Sequence, residues 1–245
     1  MRFFDPKVHP ESTLIQRWFF ACCRWLCFVV LKFGFGLRTK NIERVPAEGS
    51  ILLASNHQSF IDPPILGCRI KSRQTDFVAR KSLFKGFGAW LLPKIHAFPI
   101  DDSVNDTAAI KETIARLKMG RAVVIFPEGS RTEDGAMTPY KRGIALILKR
   151  AKCPVMPVAV EGVFDAWPRH AKKPNLFGPK IEVGYGHPIP YDELMKDGPD
   201  AALERLARET DAIRLELRER IRERTGRKYP RPGPGDEPLR DKPSP

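Results

Sequence analysis

The sequence predicts an α/β fold, a largely parallel central sheet flanked by helices, preceded by an N-terminal interfacial membrane helix or helix pair. Two observations carry the fold class. Short apolar runs of strand length recur through the middle of the chain, and helical periodicities separate them. That alternation places helices over a sheet whose neighbouring strands mostly run the same way. A third observation concerns the N-terminus, where residues 14–37 are rich in Trp, Phe, Leu and Val but carry three cations. The 245 residues suffice for one core with a small annex. Three segments follow: an amphipathic membrane-associating stretch over 1–39, a folded domain over 40–225, and a Pro-rich tail over 226–245.

Arg17, Arg24 and Lys32 break up the N-terminal run. Its longest uncharged piece, 25–31, is far shorter than the roughly 18 apolar residues of a spanning helix. At about 100° per residue the three cations fall within roughly 80° of one another. The segment therefore predicts a helix lying in the bilayer surface, its cations at the head groups and its aromatics in the acyl boundary. The competing expectation is a helix packed on the core. No small-residue cleavage site follows it.

Residues 50–54 read as a buried strand, followed by a polar turn. Asp62 precedes Pro63 and Pro64, which push it out of helical angles and suit the first turn of a helix. Further strands are expected at 76–79, 97–100, 122–126, 155–160 and 181–185. Residues 105–119 predict a helix with Ile110, Ile114 and Leu117 on one face and Gly120 as its stop. Residues 140–151 predict another over Ile144, Leu146 and Leu148. Residues 200–224 predict a long amphipathic helix with Leu203, Leu206, Ile213, Leu217 and Ile221 inward and a solvated Glu/Arg face. Between them, 164–177 reads as a loop. Six prolines and three glycines in 226–245 predict a disordered tail outside the catalytic argument.

The formal net charge is +13, which favours anionic partners: lipid head groups or the phosphates of a CoA. No nucleic-acid motif and no aromatic-interleaved basic stripe occur, so nucleic acid is not expected. Cys22, Cys23, Cys27, Cys68 and Cys153 form neither a C-x-x-C pair nor a zinc spacing, and read as reduced structural thiols. No metal and no bound cofactor are expected.

Two short segments carry chemistry. Residues 56–62 read N-H-Q-S-F-I-D after the first strand. In a turn, Asp62 can fold back onto His57, fixing one imidazole nitrogen and leaving the other to take a proton. No serine or cysteine nucleophile signature accompanies the histidine, which points to direct attack by a substrate hydroxyl. Residues 126–132 read F-P-E-G-S-R-T after another strand. Gly129 permits close backbone approach, and Arg131 can grip a phosphate with both arms of its guanidinium. Glu128 can hold a hydroxyl or orient Arg131.

Together, Asn56-His57…Asp62 resembles the H-x4-D motif of the 1-acylglycerol-3-phosphate acyltransferases and related glycerolipid acyltransferases. The segment 126–131 is similar to their F-P-E-G-x-R motif, and the separation of about seventy residues fits. Residues 155–160 resemble the family's hydrophobic strand around a proline, here Pro157. Residues 79–84 resemble its lysine-containing segment and bring in Lys81. The resemblance spans roughly 40–190, and makes 40–225 an acyltransferase domain.

What the resemblance implies is transfer of a fatty acyl group from acyl-CoA or acyl carrier protein to the free hydroxyl of a lysophospholipid, 1-acyl-glycerol-3-phosphate above all. His57 would be the general base and Asp62 its orienting acid. Asn56, Glu128, Gly129, Ser130, Arg131 and Lys81 would bind substrate, with Asn56 or backbone amides facing the oxyanion and Pro157 shaping the pocket. The enzyme would sit on the cytoplasmic face of the membrane, on anionic lipid. One position departs from the pattern: Asp102 stands where the family carries an arginine. The phosphate would then depend on Arg131 with Lys81, Lys141 or Arg142, or belong to a different head group. An acyl thioesterase and a non-catalytic lipid-binding domain are the alternatives on the same fold.

Overall fold

The structure is a computed structural model that describes residues 13–100 and 107–239. Asp102 therefore lies outside the described residues. Helix α1 (Leu14–Phe35) opens on a capping box, in which Thr13 Oγ1 accepts from Gln16 N at 3.2 Å and Gln16 Oε1 accepts from Thr13 N at 2.8 Å. It closes on Gly36, whose φ of 58° only glycine adopts without strain. Strand β1 (Arg38–Lys40) follows, then β2 (Ile51–Ser55), α2 (Asp62–Cys68), β3 (Thr75–Arg80), α3 (Phe87–Lys94) and β4 (Ala97–Ile100). Beyond 101–106 come α4 (Thr107–Lys118), β5 (Ala122–Ile125), α5 (Gly143–Ala151) and β6 (Val155–Glu161). Last are α6 (Val163–Ala166), β7 (Glu182–Tyr185), α7 (Tyr191–Leu194) and α8 (Pro199–Thr225).

The seven strands form one sheet in the order β1-β7-β6-β2-β5-β3-β4. Every neighbouring pair is parallel except β6 with β7. The expectation of a largely parallel sheet between helices therefore holds. β2 lies at its middle, with Ala54 opposite both Ile125 of β5 and Pro157 of β6. Its side chains show why a continuous apolar run is the signature of such a strand. Ile51 and Leu53 enter one core with α2 and the end of α1, while Leu52 and Ala54 enter the other with α5 and α8. Each fully buried Leu or Ile contributes roughly 1.5–3 kcal/mol, so the strand that launches the site is among the most firmly held.

Several expectations are corrected. The helix expected from 140 starts at 143, and Leu146 is exposed, because it lies some 200° around the helix from Ile144; Ile147 takes the inward position. The loop expected over 164–177 begins with the short helix α6. Asp62 is the first residue of α2, with Ile61 as its cap and the two prolines in its first turn. The charged face of α8 is not wholly solvated, since Asp211, Arg214 and Arg218 are buried. Their partners lie in the segment expected to be disordered. Residues 226–239 fold back along α8, where Arg214 Nη1 donates to Gly235 O at 2.6 Å and Arg218 Nε to Asp236 at 2.7 Å. Residues 240–245 lie outside the described residues.

Helix α1 is the one helix among the described residues long and apolar enough to cross a membrane. Its inward side packs on the core, through Leu31, Gly34 and Phe35 at the C-terminal end and Cys27 and Phe28 before them. Its outward face is apolar: Leu14, Ile15, Trp18, Trp25, Leu26, Val30 and Phe33 are exposed, Phe33 by 77%. The expected cationic stripe is not there. Arg24 turns inward and donates to Ile70 O at 2.7 Å, and Arg17 is half-buried, leaving Lys32 as the exposed cation of the three. Ring contacts tie the same helix to its neighbours, Phe19 to Trp90 of α3 at 5.5 Å and Phe20 to His96 at 5.3 Å.

Candidate active site

β2 and β5 are adjacent and parallel, so the loops that leave their carboxyl ends emerge side by side. Open α/β sheets bind ligands at that edge. His57 comes from the first loop and Glu128 to Thr132 from the second. In the first loop the chain turns immediately and brings Asp62 under the histidine. His57 Nδ1 lies 2.7 Å from Asp62 Oδ2. The same oxygen accepts from Gln58 N at 2.7 Å and Ser59 N at 2.8 Å. Asp62 is fully buried and its carboxylate is thus fixed by three donors. With Nδ1 donating to Asp62, Nε2 is the nitrogen left with a lone pair. The ring is stacked on Phe126, 4.0 Å between centroids and 18° between planes. Only 18% of the side chain is exposed, so the imidazole is aimed rather than free.

The backbone of His57 is clamped from the second loop. Its N–H donates to Glu128 Oε1 at 2.7 Å, and its carbonyl accepts from Thr132 N at 2.8 Å. The other oxygen of Glu128 accepts from Thr138 N and Thr138 Oγ1, each at 2.9 Å. Glu128 is buried, and both its oxygens are occupied by protein donors. Through these bonds the carboxylate ties the histidine loop to Thr138. Burial pushes its carboxyl up to about 7, against the hydrogen bonds from Thr138 and His57 that favour the ionised form.

Asn56 is likewise engaged by the protein. Its side chain is buried and grips β6 at both ends, Nδ2 donating to Val160 O at 3.0 Å and Oδ1 accepting from Val160 N at 2.8 Å. Pro157 lies within β6 against Gly186, inside the sheet rather than at its edge.

Gly129 needs its glycine twice over. Its φ is 72°, and a Cβ would sit 2.8 Å from the Lys141 side chain. Gly129 and Ser130 are exposed at the turn, and Arg131 is half-buried beyond them. Burial and then the neighbouring guanidiniums of Arg169 and Arg80 push the Arg131 guanidinium down, while Asp62 opposes them. Crowded cations of this kind are relieved by an anion. Arg80 ends β3, beside β5 in the sheet, and Lys81 follows it, exposed, in a one-turn 3-10 helix. At the rim Phe60 rests on Trp167, 4.3 Å between centroids, and Ser59 Oγ donates to Trp167 O at 2.7 Å.

The site thus brings together His57, Asp62, Glu128, Gly129 and Arg131, as the sequence predicts. It places Phe126 and Thr132, the two ends of the second segment, against His57, and adds Thr138 and Arg169, for which no local pattern gives a signal.

Residues 36–161 match the family model described as Acyltransferase. A 1-acyl-sn-glycerol-3-phosphate acyltransferase of Bacillus subtilis (strain 168) is 33% identical over 193 residues, covering 78% of this chain and 91% of that protein. The chain belongs to the Acyltransferase family. The 1-acyl-sn-glycerol-3-phosphate acyltransferase of Streptococcus pneumoniae (strain ATCC BAA-255 / R6) is 30% identical over 186 residues, 74% of this chain and 66% of that one. In fold, this acyltransferase matches the crystal structure of the 1-acyl-sn-glycerophosphate (LPA) acyltransferase PlsC from Thermotoga maritima, with a TM-score of 0.60 and 24% identity over 76% of both chains. The resemblance read from the H-x4-D and F-P-E-G-x-R segments is therefore correct, and both segments fall inside the matched residues of the acyltransferase.

Proposed function

We propose that this acyltransferase moves a fatty acyl group from a thioester, acyl-CoA or acyl carrier protein, to the free hydroxyl of 1-acyl-glycerol-3-phosphate, giving phosphatidic acid. The observation that carries the reading is the 2.7 Å contact of His57 with a fully buried Asp62. His57 Nε2 takes the proton of the acceptor hydroxyl as its oxygen attacks the thioester carbonyl carbon. The tetrahedral intermediate collapses with loss of the C–S bond, and the proton passes from His57 to the departing thiolate. Asp62 holds the imidazole in the required tautomer and stabilises its charged form. Arg131, with Arg80, Lys81, Lys141 and Arg169 around it, supplies the charge for the acceptor's phosphate.

Acyl donor and acceptor both partition into bilayers, so the exposed apolar face of α1 supports work at a membrane, on its cytoplasmic face. Glutamates in place of Trp18, Trp25 and Phe33 should abolish co-sedimentation with phosphatidylglycerol vesicles. Roughly 2 kcal/mol of transfer free energy is lost with each side chain. Unchanged sedimentation would assign the membrane contact to another surface.

The test of the reaction is free-thiol release from oleoyl-CoA with and without a panel of lysolipids, with the product identified by mass spectrometry. Acceptor-dependent release with phosphatidic acid as product supports the reading; acceptor-independent release would make the protein a thioesterase instead. In the same assay Arg131→Ala should raise the KM for the acceptor about tenfold or more. One charge-assisted contact to phosphate is worth roughly 1.5–3 kcal/mol. A KM within twofold of wild type would remove Arg131 from the phosphate site.

A further inference from the structure

We infer that residues 228–239 form a strap that belongs to the catalytic apparatus, because it holds the loop of His57 in place through Arg218, Glu161 and Gln58. The strap lies outside residues 36–161 that the family model covers.

The connection runs through five contacts. Asp236 Oδ1 accepts from Arg218 Nε at 2.7 Å, and Arg231 O accepts from Arg218 Nη2 at 2.6 Å. Arg218 Nη1 donates to Glu161 Oε1 at 2.5 Å. Glu161 Oε2 accepts from Gln58 Nε2 at 2.8 Å. Gln58 N donates to Asp62 Oδ2, the same oxygen that holds His57 Nδ1. Gln58 is pinned at its other end too, where Oε1 accepts from Val163 N and Phe164 N at the start of α6. The strap also reaches the second clamp of the histidine loop. Gly235 packs so closely on the loop of Thr132 and Thr138 that a Cβ there would lie 2.9 Å from Gly135 O.

Stability alone is a poor explanation for this arrangement. Glu161, Arg214 and Arg218 are buried, and a buried ion pair is commonly no better for stability than apolar residues of the same volume. What charges contribute here is direction. Without Arg218, Glu161 keeps only the more distant Arg214 Nη1, at 3.8 Å, as a counter-charge, and the partner of Gln58 is no longer fixed from the strap. Gln58 is next in sequence to His57, so any shift of its backbone reaches both the imidazole and the N–H that holds Asp62. A displacement of about 1 Å at a reacting group costs on the order of 100-fold in rate.

Gln58, Glu161, Arg218 and Asp236 are therefore positioning residues, and the inference rests on the reading of His57 as the base. The test uses the full-length protein with 1-oleoyl-glycerol-3-phosphate and oleoyl-CoA in detergent micelles, well below the melting temperature of every variant. Asp236→Ala should lower kcat at least fivefold while the acceptor KM stays within twofold. Asp236→Asn, which keeps an acceptor for Arg218, should recover most of the loss. Gln58→Ala should lower kcat further, and adding Asp236→Ala to it should change kcat by less than twofold, because the strap acts through Gln58. A kcat unchanged in Asp236→Ala, or losses at 58 and 236 that simply multiply, overturns the inference. Asp236 is a third exposed and its replacement leaves the core intact, so the test survives even if Arg218→Met does not fold. Wild-type turnover in His57→Ala would instead sink the base reading, so the two failures are told apart.

Discussion

His57→Ala is expected to lower acyl transfer by at least 100-fold, and by up to roughly 10,000-fold, the range that a positioned general base supplies. The acceptor hydroxyl is a weak nucleophile until its proton is accepted. Two facts make the variant clean. The imidazole lies on the surface of the core rather than within it, stacked on Phe126, and the clamps on residue 57 use its backbone N–H and carbonyl, which alanine retains. Melting temperature and vesicle binding should therefore stay near wild type. Asp62→Asn separates orientation from folding less cleanly. It loses the charge that stabilises the imidazolium, and an amide cannot accept from all three donors now on Oδ2. Each donor left unsatisfied costs roughly 1–3 kcal/mol. Its kcat should fall about as far as that of His57→Ala, with a lower melting temperature. Turnover within tenfold of wild type in His57→Ala would mean that another group removes the proton.

The parts of the molecule that a local pattern encodes were legible in the sequence. β2 and β5 are uninterrupted apolar runs because both faces of a central parallel strand are covered, and each ends at the polar turn that carries the chemistry. His57 and Asp62 are five residues apart, close enough for one turn to join them. What depends on distant packing was not legible. A helical wheel placed Arg17, Arg24 and Lys32 together but could not say which side of α1 meets the domain; the Ile70 carbonyl decided it for Arg24. Arg214, Arg218 and Arg222 recur every fourth residue on α8, which reads as a solvated face. Their partners, Asp236 and the carbonyls of 230–237, lie in a Pro/Gly segment whose composition argues for disorder. The short helices α3 and α7 carry too few residues for a period to show, and the antiparallel direction of β7, a strand the sequence does predict, is set by its pairing with β6. The protein partners of Asn56 and Glu128 were hidden for a related reason: they lie on β6 and at Thr138, which no local pattern ties to either motif.

Glu128→Ala should tell a positioning role from a substrate contact most sharply. If Glu128 positions the loop, its loss frees the His57 N–H and leaves three donors without an acceptor. kcat should then fall more than tenfold while the acceptor KM barely moves. If the carboxylate touched the acceptor, KM would rise and kcat would hold. The pH dependence of stability gives an independent reading. Burial raises the Glu128 carboxyl from an ordinary 4.5 to about 7, so the folded state favours its protonated form relative to the unfolded chain. The corresponding stability is fully present below about pH 4.5 and is lost as pH rises through about 7. At 1.36 kcal/mol per pH unit the loss amounts to roughly 3 kcal/mol. The alanine variant carries no such dependence. Urea denaturation should therefore find wild type ahead of Glu128→Ala by a wide margin at pH 5 and by about 3 kcal/mol less at pH 8. A margin that grows toward pH 8 would reverse the balance: the three donors would outweigh burial, and the carboxylate would be held ionised as a firm anchor for the histidine at every working pH.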